Sequence, residues 1–479
     1  MTERATSARG STDGAPAGHR GAARGRRPGR AGLLCISQSF APDTTPTGIR
    51  AGQLVARLAE QWDVVVLTET SRAQSTDGVD VHAVASRRPR RLLALMRRLR
   101  LSKLLELLIW PDDSIFWVLP AIIAGRRIAR QSAPRAIVVF MMPYSAGLVG
   151  LALARITGLP LILNLDDSPT CTDMHPDFPS RLHYLLARAL EDRYARSADA
   201  TVYVSQTNLE LVRSRQPLDV RERFHLVRYG ADDANFHAHP PAGEHFEIVY
   251  VGAMSGWWTL IEQHAAPSRA KRIYEAWMRL GRHRLTELDT RTASPAVIGE
   301  ALAQALGAHP DWQGRLGMTV YDNSYPRDVV VRALTAAGIE QVVQVHDAVA
   351  HDRVAEILGS ADLLFLTLPL RVDRSRGGRI SAKTYEYLMT DRPILAALPP
   401  GENRDYLSDK PGVWLAEPDD VDALREVIIE LATAKFAGRP ATFARERVHE
   451  EISYTTRARE FQDAIEAGIA GSRRRRRAR

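Results

Sequence analysis

A chain of 479 residues with 45% hydrophobic and 25% charged side chains has the composition of a globular protein and the length of two ordinary domains. Its formal charge of +8 suggests a nucleic-acid partner only until the charges are placed. Residues 1–30 hold seven Arg against Glu3 and Asp13, and Arg473 to Arg479 adds six Arg and no acid, so the body between is mildly acidic and no nucleic acid is expected as partner.

The Arg/Gly-rich start, 1–30, has no apolar run and is expected to be a disordered tail rather than a secretory signal. No segment approaches the roughly 18 uninterrupted apolar residues of a membrane span. The nearest, Leu101 to Gly125, is broken by Lys103, Glu106, Asp112 and Asp113. Cys35 lies in an apolar run, and neither it nor Cys171 belongs to a CxxC pair or a metal-type spacing. A reducing, cytoplasmic location is expected.

From Gly32 onward, short apolar runs alternate with helical patterns. Leu33–Phe40 reads as the first strand, followed by a Pro/Thr/Gly loop and a helix from about Arg50 to Glu60. Val64–Leu67, Val79–Val84, Ala136–Met141, Leu161–Leu165, Ala200–Val204 and Phe224–Val227 are the strands that follow. Runs this apolar, separated by helices, predict a parallel sheet covered on both faces. After a polar, Pro-rich linker at His237–His245 the pattern repeats, with Glu247–Gly252, Gly317–Tyr321, Val342–Val345, Leu363–Leu366, Ile394–Leu398 and Val413–Leu415. The fold class expected is α/β, two doubly wound Rossmann-like domains facing each other across a cleft. Their bounds are read as 31–236 and 245–435, with a helix over 436–470 and an Arg-rich tail over 471–479. The stretch Gly256–Ala293, with Trp257, Trp258 and Trp277 among many charges, reads as an insertion at the cleft rim.

Between Arg87 and Lys103 stand eight basic residues and no acid, with Leu92, Leu95, Met96 and Leu99 on one side of a helix. Such a helix can lie in an anionic membrane surface, with the tails adding attraction, or pack on the core with its basic face solvated.

Three loops fall where a doubly wound sheet binds its ligands, beyond the carboxyl ends of strands. Ala41-Pro-Asp-Thr-Thr-Pro-Thr-Gly-Ile-Arg50 opens a helix whose N–H groups can face an anion, but it is neither a Walker loop nor GxGxxG. Asn164-Leu-Asp-Asp-Ser-Pro169 puts Asp166 and Asp167 at a strand end, where one carboxylate can act as a base toward an acceptor hydroxyl, or Asp167 or Ser168 can cap the next helix. Gly377-Gly-Arg-Ile-Ser-Ala-Lys-Thr-Tyr-Glu-Tyr-Leu388 sets Ser381 as an N-cap, Arg379 and Lys383 as cations for a diphosphate, and Glu386 as an acceptor for ribose hydroxyls. The alternative for Lys383 and Glu386 is an i,i+3 surface pair.

Several of these pieces, in order, resemble family-4-type glycosyltransferases of the GT-B fold, in the branch that builds bacterial surface polysaccharides. The resemblance rests on Ile36-Ser-Gln-Ser-Phe-Ala-Pro42 with Gly48 and Arg50, on Ser205, and on Val227-Arg-Tyr-Gly-Ala-Asp-Asp-Ala-Asn-Phe236. It continues through Ile248-Val-Tyr-Val-Gly-Ala253 and Lys383-Thr-Tyr-Glu-Tyr-Leu-Met-Thr-Asp-Arg-Pro-Ile-Leu395, and spans about 32 to 430.

The resemblance implies transfer of a sugar from a nucleotide-diphosphate sugar to a glycan, lipid-linked or small-molecule acceptor, with retention, no metal and no cofactor. It implies a donor site on the second domain with Gly252 close to the diphosphate and Glu386 on the ribose, and a C-terminal helix over 436–470 that crosses back to the first domain. Gly48 matches the loop that closes over the donor, Arg50 accompanies it, and Asp167 matches an acidic acceptor-side position. The family's Glu-x7-Glu motif is half missing, because its first glutamate falls at Gly378. That gap makes a degenerate non-catalytic subunit one alternative, and a nucleotide-sugar epimerase is the other because fold alone does not set function. The expected location is cytoplasmic, with a peripheral position at the inner face of the plasma membrane as an option.

Overall fold

The computed structural model describes residues 30–43, 45–76, 78–170, 177–231, 244–252, 269–322 and 325–477. The disorder expected of the first residues, most of the linker and the first part of the 256–293 stretch lie outside the described residues.

The first half is built from β1 (Gly32–Ser37), α1 (Pro46–Leu58), β2 (Asp63–Thr68), β3 (Val79–Ala83), α2 (Arg90–Arg98), α3 (Ser102–Leu108), α4 (Ile115–Ser132) and β4 (Ala136–Met141). It goes on through α5 (Ser145–Thr157), β5 (Leu161–Leu165), β6 (Asp177–Phe178), α6 (Arg181–Ser197), β7 (Ala200–Tyr203), α7 (Gln206–Arg213), α8 (Leu218–Arg221) and β8 (Phe224–Leu226). Seven of these strands form a parallel sheet in the order β3-β2-β1-β4-β5-β7-β8. Every residue of β1, β4, β5 and β7 is buried, which explains why these strands read as continuous apolar runs rather than alternating ones. The first helix starts before Arg50: Thr45 caps it by accepting from the Gly48 N–H at 3.2 Å, and Pro46 takes a first-turn position where a missing N–H costs nothing.

The second half runs β9 (Phe246–Val251), α9 (Arg269–Arg279), β10 (His283–Arg284), β11 (Leu288–Asp289), α10 (Pro295–Ala308), β12 (Leu316–Tyr321), α11 (Arg327–Ala337), β13 (Val343–His346), α12 (His351–Ser360) and β14 (Leu363–Thr367). Then come β15 (Leu370–Arg371), α13 (Ala382–Leu388), β16 (Ile394–Ala397), α14 (Glu402–Leu407), β17 (Val413–Ala416), α15 (Val421–Phe436), α16 (Glu446–Ile452) and α17 (Tyr454–Arg477). Its six-stranded parallel sheet has the order β13-β12-β9-β14-β16-β17. In both sheets the strand order reverses beside the first strand, so the crevices lie between β1 and β4 and between β9 and β14.

Two features join the halves. Ala231 pairs with the 452–454 segment, its N–H donating to the Ile452 carbonyl at 3.0 Å, so the chain re-enters the first half beside the residue next to where it left. There α17 sinks Phe461, Ala464, Ile465 and Ile469 into the same core as Leu33, Val138, Ile162 and Val202. Helix α17 does not stop near 470; it carries the arginine run to Arg477, and Arg475 bonds the Asp199 carboxylate just before β7. The C-terminal arginines therefore sit at the amino ends of the strands. The described part of the 256–293 stretch is the second link, because β10 pairs antiparallel with β6 of the first half while β11 pairs with β15 of the second.

No residue of α2 is buried, and Leu92, Leu95 and Leu99 are 55%, 51% and 59% exposed. The core-packed alternative for this helix is thereby excluded.

Candidate active site

On the first half, the loop after β5 divides its two carboxylates. Asp166 is buried: it accepts from Thr47 Oγ1 at 2.8 Å and Asn164 Nδ2 at 3.3 Å, with Arg50 Nε at 3.5 Å. A carboxylate so enclosed anchors the loop to α1. Asp167 is the less buried of the two. Neither Asp167 nor Ser168 caps the next helix, since Ser180 caps α6. Ser168 Oγ donates instead to Glu191, a wholly buried carboxylate that also holds Thr170 and pairs with Arg215 at 2.7 Å. Tyr144 faces the same carboxylates, and burial first, then the charges of Asp167 and Glu191, push its phenol well above the ordinary range.

Arg50, expected with the loop that closes on the donor, stands on a helix. It lies on α1 and is fully buried, with its guanidinium donating to the carbonyls of Arg228 at 2.7 Å and Val227 at 2.8 Å and to Asn164 Oδ1 at 3.3 Å. It ties α1 to the residues that follow β8, a task for which a rigid fork of donors suits better than an ammonium. Gly48 sits in the first turn of α1, where a Cβ would come within 2.8 Å of Ser39 Oγ and 2.9 Å of Thr45 Oγ1, so its lack of a side chain lets the preceding loop fold back.

On the second half, two of the expected donor residues meet. Gly252 ends β9 at φ +102°, and a Cβ there would stand 3.0 Å from Lys383 Cε and 3.3 Å from its Nζ. Lys383 reaches over the end of the strand, with its ammonium 5.1 Å from the centre of the Tyr250 ring. It does not pair with Glu386: no ion pair joins them among the described residues. Ser381 stands at the N-cap position of α13 but makes no capping bond through its side chain. Arg379 and Glu386 are half-buried on either side of Ser381 and Lys383. The other arginines of the 371–379 loop are spent locally, Arg374 on Asp419 at 2.7 Å and Arg376 on Asp405.

Between the halves lies a site that no motif announced. Glu402, at the start of α14, crosses to the first half, where its carboxylate accepts from Ser205 Oγ at 2.7 Å, Gln206 N at 2.8 Å and Thr207 N at 2.8 Å and pairs with Arg228. Burial opposes its charge, but the bonds from Ser205, Thr207, Arg228 and Gln206 outweigh that and hold the carboxyl below the usual range. Gly378 lies beside this latch: a Cβ on it would stand 2.9 Å from Asn208 Oδ1 and 3.0 Å from Thr207 Cβ, both in the other half. Its glycine is thus the condition for the halves to meet. Ser205 and Arg228 were visible in sequence, but nothing there paired them with a residue nearly two hundred positions on. Among the described residues no group of three or more His, Cys, Asp and Glu could hold a metal ion.

Two parallel, doubly wound sheets with their crevices at facing switch points are the GT-B arrangement. Similar folds confirm it across nearly the whole chain. Sucrose-phosphate synthase from Thermosynechococcus elongatus has a TM-score of 0.60 at 13% identity, with 92% of this chain and 100% of that one covered. Anabaena HepE in complex with UDP and glucose has a TM-score of 0.56 at 13% identity, covering 91% of this chain and 100% of that one. Trehalose 6-phosphate synthase from Burkholderia multivorans has a TM-score of 0.56 at 13% identity, covering 93% and 98%. No curated protein matches the chain in sequence. Residues 47–230 match the glycosyl transferase 4-like domain. The match covers part of the first half, and the likeness across the chain is one of fold, GT-B.

Proposed function

We propose that the protein moves a sugar from a nucleotide-diphosphate sugar, bound by the second half, to a glycan or lipid-linked acceptor bound by the first, with retention of anomeric configuration and without metal or cofactor. The observation that carries this reading is the meeting of Gly252 and Lys383 at the switch point of the second sheet. A backbone bare of Cβ and an ammonium directed over it make a seat for a diphosphate, where fixed charge stabilises the leaving group as the glycosidic bond breaks. Arg379 adds a second cation and Glu386 an acceptor for ribose hydroxyls. Asp167, the less buried carboxylate across the cleft, orients the acceptor hydroxyl, while Asp166 keeps the loop in place through Thr47 and Arg50. UDP and glucose in the similar HepE structure support a sugar nucleotide as donor. The exposed apolar stripe of α2, with its arginines, supports an acceptor held at a membrane surface, at the cytoplasmic face.

The test is a melting panel on the full chain with UDP, GDP, ADP and dTDP, each with and without EDTA. A diphosphate at a hundred times its dissociation constant stabilises by about 2.7 kcal/mol. One of the four should raise the melting temperature, independently of EDTA, and lose its effect in Lys383→Ala and Glu386→Ala. A folded protein whose melt none of them shifts would sink the proposal.

A further inference from the structure

The exposed leucines of α2 continue onto a second helix, and that helix belongs to the other half of the molecule. Next to α2, helix α3 exposes Leu104 and Leu108. Across the cleft rim, α9 presents Ile273 and Trp277, 63% and 53% exposed, one turn apart on one stripe. The two elements are fastened together. Lys103 Nζ donates to the carbonyls of Trp277 at 2.7 Å and Leu280 at 2.5 Å, closing the C-terminal end of α9, and stands 4.4 Å from the Trp277 ring centre. Arg282, just beyond α9, bridges Glu106 of α3 and Asp177 of β6 at 3.0 Å each. The apolar stripes therefore form one surface rather than two.

Its position and its charge say what covers it. Helices α2 and α3 follow the carboxyl end of β3, and β6 follows the loop of Asp166 and Asp167, so the surface borders the acceptor side of the cleft. The stripe of α2 is flanked by Arg90, Arg91, Arg97, Arg98 and Arg100, and no acid occurs between 87 and 103. A second copy of the chain laid on this surface would bring like charges together, whereas anionic headgroups answer the arginines while acyl chains receive the leucines and the indole. No helix among the described residues is long and apolar enough to cross a membrane, so the contact is with one leaflet.

We propose that α2, α3 and α9 make one docking face for an anionic lipid bilayer, contributed by both halves and completed only while Lys103 and Arg282 hold them together. This rests on the reading of a membrane-held acceptor given above and deepens it: docking brings the mouth of the cleft to the leaflet that presents the acceptor. The C-terminal arginines take no part, since Arg475 is bound to Asp199 at the opposite ends of the strands.

The experiment is co-sedimentation of the full-length protein with vesicles of phosphatidylcholine alone or mixed equally with phosphatidylglycerol, alongside light scattering and the diphosphate melting panel. Wild type should partition onto the anionic vesicles and at least tenfold less onto the neutral ones. Leu95→Gln with Leu99→Gln on α2, and separately Ile273→Gln with Trp277→Gln on α9, should each lower partitioning at least tenfold, whereas Arg474→Gln with Arg476→Gln should leave it within twofold. All are exposed positions, and an unchanged melting temperature shows that each variant folds. Loss on α2 alone would overturn the two-half face. So would no partitioning at all, or a dimer by light scattering in its place. Diphosphate binding that survives the loss of vesicle binding leaves the transferase reading standing. Vesicle binding with both losses but no diphosphate shift leaves the docking face standing without it.

Discussion

Replacing Glu402 by glutamine tests how much of the hold between the two halves this one carboxylate supplies. The side chain keeps its shape but loses its charge, and its amide group then turns donors toward the N–H groups of Gln206 and Thr207 or toward Arg228. Glu402 and Arg228 are 8% and 19% exposed, so the pair is well shielded but not sealed. Removing one partner of a buried pair costs about 3–5 kcal/mol. The partial exposure of Arg228 places this case at the low end, about 3 kcal/mol, roughly a hundredfold in the equilibrium between joined and separated halves. The pH dependence carries the same signature. The folded carboxyl sits below its unfolded value, so its contribution is complete above about pH 4.3 and is lost as pH falls through the lowered folded value. Small-angle scattering should show Glu402→Gln expanded at pH 7, and wild type expanding only in acid. A variant with wild-type dimensions and a urea midpoint within about 0.5 kcal/mol of wild type would refute the latch, that being the spread of neutral surface changes.

Gly378→Ala should also separate the halves, because the new Cβ meets Thr207 and Asn208, and Gly378→Glu should lower transfer rather than enhance it; a gain in turnover would show that the glycine is a defect and not a fit. Gly252→Ala combines a positive φ with a Cβ 3.0 Å from Lys383, and should weaken diphosphate binding about tenfold, from roughly 1–2 kcal/mol of strain, with the melting temperature of the free protein little changed. Arg50→Lys should cost about 3 kcal/mol in urea unfolding through its lost carbonyl bonds, while a change in donor affinity at full stability would restore it to a donor-closing role. Cys35 is fully buried and its thiol is pushed up to about 12, so iodoacetamide at pH 8 should leave it unmodified by mass spectrometry until the protein is unfolded.

The sequence carried the sheets because their strands are buried on both faces: Ala136–Met141 and Leu161–Leu165 were bounded to the residue by apolar runs alone. Gly252 was singled out by the family resemblance and Lys383 by its place at a helix start, and the fold brought them together. Arg50 and Asp166 were legible as chemistry-bearing residues but not as partners of each other, since charge and spacing do not report burial. Glu402 left no trace at all. Its partners lie on another half, and a glutamate after Pro-Pro-Gly is ordinary turn composition until the cleft closes on it. The exposure of α2 was likewise undecided by its pattern, because an amphipathic helix looks the same whether a core or a membrane receives its stripe.

The return of α17 to the first core has a consequence for how the molecule is made. Phe461, Ile465 and Ile469 complete a hydrophobic layer laid down by strands more than 250 residues earlier. During synthesis that layer stays open while the whole second half emerges and can fold. Helix α17, made after that half, closes it. The first-made core is thus finished only after the second half has been made, and a truncation that removes α17 would leave that second half attached to an exposed, adhesive sheet.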